Sequence, residues 1–160
     1  MPGARLAASS LEAWAFDQSA LARWNGASWL SIALPAPTSN GAAKISGLAV
    51  DGGEVWLLAE HGRPSEGEGD ERLYRWNGAS WVLQASLGAY ARATISSGPR
   101  GIVTSHAKGS YLALQQWSEA GPTLLAKVTQ ADISRWRWQL LLDRDDLLLA
   151  KNRQLFRLRF

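Results

Sequence analysis

The residues that could act as acids, bases or nucleophiles are few and lie far apart in the sequence. The chain has two histidines, His61 and His106, and no cysteine. Ser105 or Ser110 could be combined with either histidine in a hydrolytic triad, but no nucleophile-elbow motif surrounds them. No glycine-rich phosphate loop leads from a strand into a helix. We therefore expect a non-enzymatic protein that carries no cofactor.

Two acidic stretches contain the carboxylates that a hard cation such as Ca²⁺ requires. The first, SEGEGDE at residues 65–71, follows His61 and Arg63, and the second, DRDD, occupies residues 143–146. Neither stretch has a complete ligand spacing, and Gly, Ser and Asp are common in turns for backbone reasons alone. The sequence therefore predicts a solvated surface loop and a tight turn, and no metal site.

Tryptophan is the residue that this chain uses to excess, with nine copies. The run RWRW at residues 135–138 could bind single-stranded nucleic acid, because bases stack on aromatic rings and arginine attracts phosphate. Alternation along a strand explains the same run by packing, since it places Trp136 and Trp138 on one face and the arginines on the other. Six other tryptophans fall at equivalent places in a repeat, and we expect them to be buried between sheets: Trp14, Trp24, Trp29, Trp56, Trp76 and Trp81.

The heptapeptide RWNGASW occurs twice, at residues 23–29 and 75–81. An Asn-Gly pair favours a two-residue type I′ hairpin turn, because both central residues of that turn need a positive φ. Such a turn places Trp24 opposite Ala27 and Ala22 opposite Trp29, so that both tryptophans lie on one face. The second copy predicts the same aromatic hairpin.

The two heptapeptides belong to a longer repeat. Trp24 and Trp76 are 52 residues apart, or 41 when an 11-residue polar insertion at residues 61–71 is left out. A further 41 residues lead to Trp117, and 41 more lead to Leu158. Upstream of each hairpin lies a strand–turn–strand segment, such as GLAVDGGEVWLLAE at residues 47–60. Each repeat therefore predicts four short antiparallel strands, a to d.

The segments VDGGEVW and LYRWNGASW, with their degenerate copies, cover nearly the whole chain and resemble β-propeller repeats of the tectonin-like and Kelch-like bacterial style. The sequence lacks the Gly-His and Trp-Asp signature of WD repeats, and it lacks a paired-glycine Kelch signature. The resemblance implies an all-β, propeller-like fold with four blades of four antiparallel strands in one domain, residues 1–160. The blades fall at about 5–33, 47–85, 93–128 and 138–160. It also implies that strand a lines the central channel and that the b–c and d–a loops form the binding face.

The fourth blade is predicted to lack its outer strand. The terminal segment RQLFRLRF places Phe156, Leu158 and Phe160 on one face of an unpaired edge strand, which favours association with another strand. Three arrangements remain open. Two chains could join into an eight-bladed ring, one chain could close as a four-bladed ring, or a partner or the rest of a longer polypeptide could complete the ring.

These features predict a binding or scaffolding module that recognises a protein partner or a second copy of itself. The alternative is a lectin-like carbohydrate-binding propeller, which requires exposed tryptophans that can stack on sugar rings. The two longest connections, at residues 34–46 and 61–71, are expected to lie on one face. The predicted binding patch lies in or beside such connections and consists of Asn40, Lys44, His61, Arg63, Tyr90 and Arg92.

Composition, hydropathy and charge argue against a membrane or nucleic-acid partner. An apolar fraction of 46% argues against a disordered chain. The sequence has neither a signal-peptide pattern at its start nor an apolar run of the ~18 residues that a membrane span requires. The net charge of +3 is small, and the basic residues are scattered among acidic ones, which does not indicate nucleic-acid binding. We expect a cytoplasmic protein without a membrane or nucleic-acid partner.

Overall fold

The computed structural model describes residues 4–9, 12–63, 67–89, 91, 93–98, 101–108, 110–129, 139–143, 146–151 and 154–159. In the strands after residue 138, side chains are described only at Leu148, Ala150 and Arg157. The described residues form fifteen β-strands and no helix.

The strands form four antiparallel sheets, each built from strands that are consecutive in the sequence. Sheet one consists of β1 (Arg5–Ala8), β2 (Ala13–Phe16), β3 (Leu21–Trp24) and β4 (Trp29–Ser31). Sheet two consists of β5 (Ala43–Asp51), β6 (Glu54–Arg63), β7 (Glu68–Trp76) and β8 (Trp81–Gly88). Sheet three consists of β9 (Thr94–Gly98), β10 (Gly101–Lys108), β11 (Tyr111–Ser118) and β12 (Gly121–Thr129). Sheet four consists of β13 (Gln139–Asp143), β14 (Asp146–Lys151) and β15 (Gln154–Arg159).

The predicted all-β, propeller-like fold is confirmed by this order of strands. The first strands of successive sheets are neighbours: β1 contacts β5, β5 contacts β9, and β9 contacts β13. The sheets therefore stand side by side around their first strands, as the blades of a propeller do. Within the described residues the fourth sheet has three strands, as the sequence predicted.

The two identical hairpins differ from the predicted two-residue turn. Trp24 lies directly opposite Trp29, so the loop contains the four residues 25–28. Asn25 explains the longer loop, because its Oδ1 accepts the backbone N–H groups of Ala27 at 2.9 Å and Ser28 at 2.8 Å. An asparagine side chain that bonds its own backbone two residues on mimics a turn. The prediction that both tryptophans share one face is confirmed, whereas the predicted pairing with Ala22 and Ala27 is wrong.

The polar insertion at residues 61–71 is not the loop that the sequence predicted. β6 continues to Arg63 and β7 begins at Glu68, so the insertion lengthens a β-hairpin. Gly62 and Gly69 pair across this hairpin with positive φ values of 75° and 157°. A Cβ at Gly69 would lie 2.1 Å from the backbone oxygen of His61, so only glycine allows the two arms to approach this closely. The connection before it is also shorter than predicted, because β5 already begins at Ala43.

The apolar core lies between sheets. Sheets one and two share a cluster of eleven buried residues that includes Trp14, Phe16 and Leu57, and sheets two and three share a second around Trp56 and Trp117. β6 contributes to both clusters, because successive side chains of a strand point to opposite faces. Its run VWLLA at residues 55–59 is therefore continuously apolar, as expected of a strand that is buried on both sides.

Candidate functional site

The joint between sheets one and two is built around Trp14 of β2. This side chain is fully buried. Its ring centroid lies 6.0 Å from that of Trp76 and 6.2 Å from that of Trp81, the two tryptophans of the second heptapeptide. Trp76 and Trp81 are direct cross-strand partners whose centroids lie 5.0 Å apart. Edge-on and tilted aromatic contacts of this kind stabilise a joint beyond the area that they bury.

A carboxylate and an arginine hold the Trp14 indole in place. Trp14 Nε1 donates a hydrogen bond to Glu12 Oε2 at 3.3 Å. Arg23, the cross-strand partner of Trp14, forms an ion pair with the other oxygen of Glu12. The Arg23 guanidinium carbon lies 5.9 Å from the Trp14 ring centroid, within reach of a cation–π interaction.

The joint between sheets two and three repeats this arrangement. Trp56 is fully buried, and its ring centroid lies 6.1 Å from that of Trp117. Trp56 Nε1 donates to Glu54 Oε2 at 3.1 Å, and Arg75 pairs with the same carboxylate at 3.2 Å. Arg75 also bonds Glu119 of the next sheet, and this hydrogen bond raises the pKa of the Arg75 guanidinium above its ordinary value. Arg75 therefore links the two sheets by charge as well as by packing.

A groove of about 530 Å³ lies beside the first joint. This volume falls within the range of roughly 300–1,000 Å³ that is typical of small-molecule sites. Its walls are the segment 31–36, which begins at the end of β4, and the hairpin residues Trp76, Ala79, Ser80 and Trp81. Trp81 Nε1 donates to the backbone oxygen of Ala33 at 3.0 Å, which holds the segment against the hairpin.

The chemistry of the groove is aromatic and hydroxylic. Two indoles and Pro35 supply apolar surface, while Ser31 and Ser80 are exposed and supply hydroxyl groups. The described residues that line the groove include no charged side chain. The Nε1 atom of Trp76 is buried and has no hydrogen-bond partner among the described residues. An unsatisfied buried N–H costs about 1–3 kcal/mol of stability. The groove therefore suits a neutral ligand that carries both apolar faces and hydrogen-bonding oxygens.

Three residues of the predicted binding patch are exposed, and they lie in or beside the paired strands β5 and β6. Asn40 is in the turn between Thr38 and Gly41, outside any strand. Lys44 is exposed on β5 rather than in a loop, where it pairs with Glu60. Arg63 is exposed at the end of β6. Lys44 and Arg63 thus lie beside the connections rather than within them, because both strands extend further than the sequence indicated.

His61, the fourth predicted patch residue, is fully buried on β6. Its Nδ1 lies 3.3 Å from the backbone oxygen of Gly41, and its Nε2 lies 2.8 Å from Tyr74 Oη. Burial raises the pKa of the Tyr74 phenol above its ordinary value, so the phenol stays protonated at neutral pH. The His61 side chain thus connects the 38–41 turn to the long hairpin and places the two longest connections side by side.

The remaining predicted association and binding residues fall where side chains are not described. Tyr90, Arg92 and Phe160 lie outside the described residues. Phe156 and Leu158 lie on β15, paired with β14, but their side chains are outside the described part. The run RWRW at residues 135–138 is also outside it.

The acidic insertion is partly structural. Asp70 is buried, and its carboxylate accepts hydrogen bonds from Arg72 Nε at 2.7 Å, Ser86 Oγ at 2.8 Å and the Gly88 backbone N–H at 3.0 Å. Glu71 is buried as well. No group of three or more His, Asp or Glu side chains in the described part is arranged to hold a metal ion, residues 64–66 and 144–145 lying outside that part. The Asp70 carboxylate therefore ties β7 to β8. Glu71 Oε2 accepts the backbone N–H of Ala93 at 3.0 Å, which ties β7 to the segment that precedes sheet three.

The predicted burial of the six repeat tryptophans is only partly correct. Trp14 and Trp56 are fully buried, as predicted. Trp24 and Trp29 are 38% and 46% exposed, so the prediction is wrong for the first heptapeptide. The reason is positional: these two side chains lie on the face of sheet one that is turned away from sheet two.

Two features of the site were missed in the sequence. The carboxylate–arginine pairs had a detectable signal, because a glutamate precedes both Trp14 and Trp56 by two residues and an arginine begins each heptapeptide. The groove wall at residues 31–36 had no detectable signal in the sequence, since SIALPA follows no strand or turn pattern. Among the described residues, no helix is long and apolar enough to cross a membrane.

Comparison with known proteins finds similarity in structure but not in sequence. No protein-family model and no curated protein sequence matches the chain. In structure, the chain is similar to the fungal lectin of Aleuria aurantia, a six-bladed β-propeller described by a fucose recognition mode. The match has a TM-score of 0.60 and 15% sequence identity, and it covers 96% of this chain. The chain spans 57% of the length of that lectin. The likeness shows the propeller fold and does not support the tectonin-like or Kelch-like subfamily.

Proposed function

We propose that this protein is a non-catalytic, carbohydrate-binding propeller and that the groove beside Trp76 and Trp81 receives the sugar. The observation that carries the proposal is the combination of two indoles and two exposed hydroxyls, of Ser31 and Ser80, around one uncharged groove. Lectin-like binding was the alternative function expected from the sequence.

Sugars match this groove in chemistry. A pyranose ring presents C–H groups on its faces and hydroxyl groups around its rim, so it can stack on an indole while its oxygens bond to polar groups. Tryptophan suits such a surface because it joins a large apolar face to one polar N–H.

The fold likeness gives independent support for this ligand class. The structurally similar fungal protein is a lectin, and its description names fucose. At 15% identity, this similarity supports a carbohydrate as the ligand and leaves the choice of sugar to experiment.

Titration calorimetry with free fucose, mannose, galactose, glucose and N-acetylglucosamine tests the proposal. We expect at least one sugar to bind and to change the intrinsic tryptophan fluorescence. Trp76→Phe should weaken that binding by tenfold or more, because it removes part of the indole surface that lines the groove. Ser80→Ala should weaken binding by a smaller factor.

The first heptapeptide supplies a matched control. Trp24→Phe makes the same chemical change in an identical hairpin that does not line the groove. Its sugar affinity should equal that of the unchanged protein. Binding of none of the sugars, or equal losses in the Trp24 and Trp76 variants, would overturn the proposal.

A protein-binding module remains the second candidate, and the exposed Trp24–Trp29 pair favours it. Large exposed aromatic side chains are enriched where proteins associate. The patch of Asn40, Lys44 and Arg63 stays a prediction for the same role. Alanine substitution at these three exposed positions should weaken a protein complex if the patch binds, and unchanged affinity would remove the patch from consideration.

A further inference from the structure

One face of sheet one is apolar and lies opposite to the joint with sheet two. The antiparallel register and the alternation of side chains define this face, which we call the open face. It consists of Leu6, Ala8, Ala13, Ala15, Ala22, Trp24, Trp29 and Ser31. Leu6, Trp24 and Trp29 are 73%, 38% and 46% exposed. An antiparallel sheet that faces water on one side carries mainly polar residues there, so this composition indicates a face that becomes covered.

The matching face of sheet two shows how such a face is covered. The corresponding register positions hold Leu48, Val50, Val55, Leu57, Tyr74, Trp76, Trp81 and Leu83. All of these residues except the exposed Leu83 belong to, or pack against, the apolar cluster shared with sheet one. The open face thus occupies, in sheet one, the positions that form an interblade joint in sheet two.

The aromatic hairpins of the two faces are nearly superimposable in geometry. Trp24 and Trp29 have ring centroids 5.5 Å apart at an interplanar angle of 56°. Trp76 and Trp81 have centroids 5.0 Å apart at 58°. The second pair receives Trp14 from the preceding sheet, whereas the first pair is exposed. The first hairpin is therefore preformed to receive a side chain from strand b of another sheet.

Sheet four carries the strand-b pattern that such a hairpin receives. In the first two sheets, the strand-b tryptophan pairs with an arginine: Trp14 with Arg23, and Trp56 with Arg75. In sheet four, Leu148 pairs with Arg157 in the same way. Leu148 is half-buried, and Arg157 is exposed. An acidic residue also stands two positions before Leu148, at Asp146, as a glutamate does before each of the two tryptophans.

We propose that the open face of sheet one is covered by sheet four of a second copy of this chain. The contact continues, between chains, the packing that joins sheets one and two within the chain. The four alanines of the open face, in place of the bulkier residues of sheet two, let the second copy approach closely. Because different surfaces of the two copies meet, the contact is head-to-tail and can close into a ring.

The test measures the mass of the full chain by light scattering and sedimentation over a wide concentration range. We expect species heavier than the 17.4 kDa chain that populate further as concentration rises. The double variant Trp24→Lys, Trp29→Lys should weaken association by at least tenfold, because each lysine would bring an unpaired charge into the joint. A chain that stays monomeric at high concentration would overturn the proposal.

Matched controls separate this surface from general surface hydrophobicity. Leu83 and Leu124 are 48% and 46% exposed on β8 and β12, away from the open face. Leu83→Lys and Leu124→Lys should leave association unchanged. If these variants dissociate the complex as the tryptophan variants do, the open face is not the contact.

A mixing experiment distinguishes the two possible partners of the open face. Leu148→Lys should also block association, but a mixture of this variant with the double tryptophan variant should form a heterodimer through the one intact pair of surfaces. If Leu148→Lys chains still associate by themselves, the open face packs on another open face and the proposed partner is wrong. Arg157→Glu, at an exposed position, serves in its place if circular dichroism shows that Leu148→Lys does not fold.

Discussion

Replacing Trp14 by alanine tests whether one indole holds the first two sheets together. Trp14 is fully buried, contacts two other indoles, and donates a hydrogen bond to Glu12. Removal of a buried aromatic side chain costs about 3–5 kcal/mol of the free energy of unfolding, through lost burial and the cavity that remains. Each aromatic pair contributes about 0.5–1.5 kcal/mol beyond its area, so we expect a value near the top of that range.

The matched control is Trp24→Ala. Trp24 makes one aromatic contact and is 38% exposed, so its loss should cost about 1 kcal/mol or less. Urea unfolding followed by circular dichroism gives both free energies, and low protein concentration keeps association from contributing. For a chain of this size, the Trp14 variant should also melt about 10 °C or more below the unchanged protein.

Two results would refute this account of the joint. A loss below about 1 kcal/mol for Trp14→Ala would mean that sheets one and two are held by other contacts. Equal losses for the two variants would mean that buried Trp14 and exposed Trp24 contribute equally to the packing of sheet one. The free energy of unfolding of the Trp14→Phe variant should lie between those of the Trp14→Ala variant and the unchanged protein. Phenylalanine retains a ring but loses the hydrogen bond to Glu12.

Three further predictions follow from single positions. Burial, with a smaller effect of nearby Lys108, lowers the pKa of His106 from 6.5 to about 4, so the unfolded chain binds its proton first. The free energy of unfolding should therefore fall by about 2 kcal/mol as pH decreases from about 7 to about 5, and His106→Gln should remove most of that change. Gly69→Ala should prevent or severely destabilise folding because its Cβ would collide with backbone, whereas Gly88→Ala, with open space around its Cβ, should cost only about 1 kcal/mol, from its positive φ. Asn77→Ala should cost about 1 kcal/mol through loss of two hydrogen bonds to the hairpin backbone.

Denaturant unfolding measures all three. A pH dependence that persists unchanged in the His106 variant would assign the acid sensitivity to other groups. Gly69→Ala and Gly88→Ala chains of equal stability would contradict the close approach of the two hairpin arms. An Asn77→Ala chain as stable as the unchanged protein would show that the loop does not depend on the asparagine side chain.

The sheets could be predicted from the sequence because their determinants are local. Alternating apolar residues and turn-forming Asn, Gly and Asp specify short antiparallel strands wherever they occur, and the repeat showed how often they recur. The hairpin loop length was missed because the Asn25 side chain, which accepts two backbone N–H groups, overrides the usual Asn-Gly turn. The long hairpin at residues 61–71 was missed because a polar segment is normally predicted to be a solvated loop. Only the folded structure shows that His61, Asp70 and Glu71 are buried.

The candidate site depended more strongly on tertiary structure. The groove needs a segment from the end of sheet one and a hairpin from sheet two, and nothing in SIALPA marks it as a wall. The predicted patch was built from sequence positions alone, which could not reveal that His61 points into the core. Long-range packing decides both outcomes.

The two copies of RWNGASW separate what the sequence determined from what the tertiary structure decided. Seven identical residues produced the same hairpin twice, with the same loop and nearly the same pairing of indoles, because these depend on contacts within the heptapeptide. Exposure differs between the copies, since Trp76 packs against Trp14 of a neighbouring sheet while Trp24 is 38% exposed. A sequence encodes the shape of a hairpin locally, but only the arrangement of the sheets determines which hairpin packs against a neighbouring sheet and which is exposed.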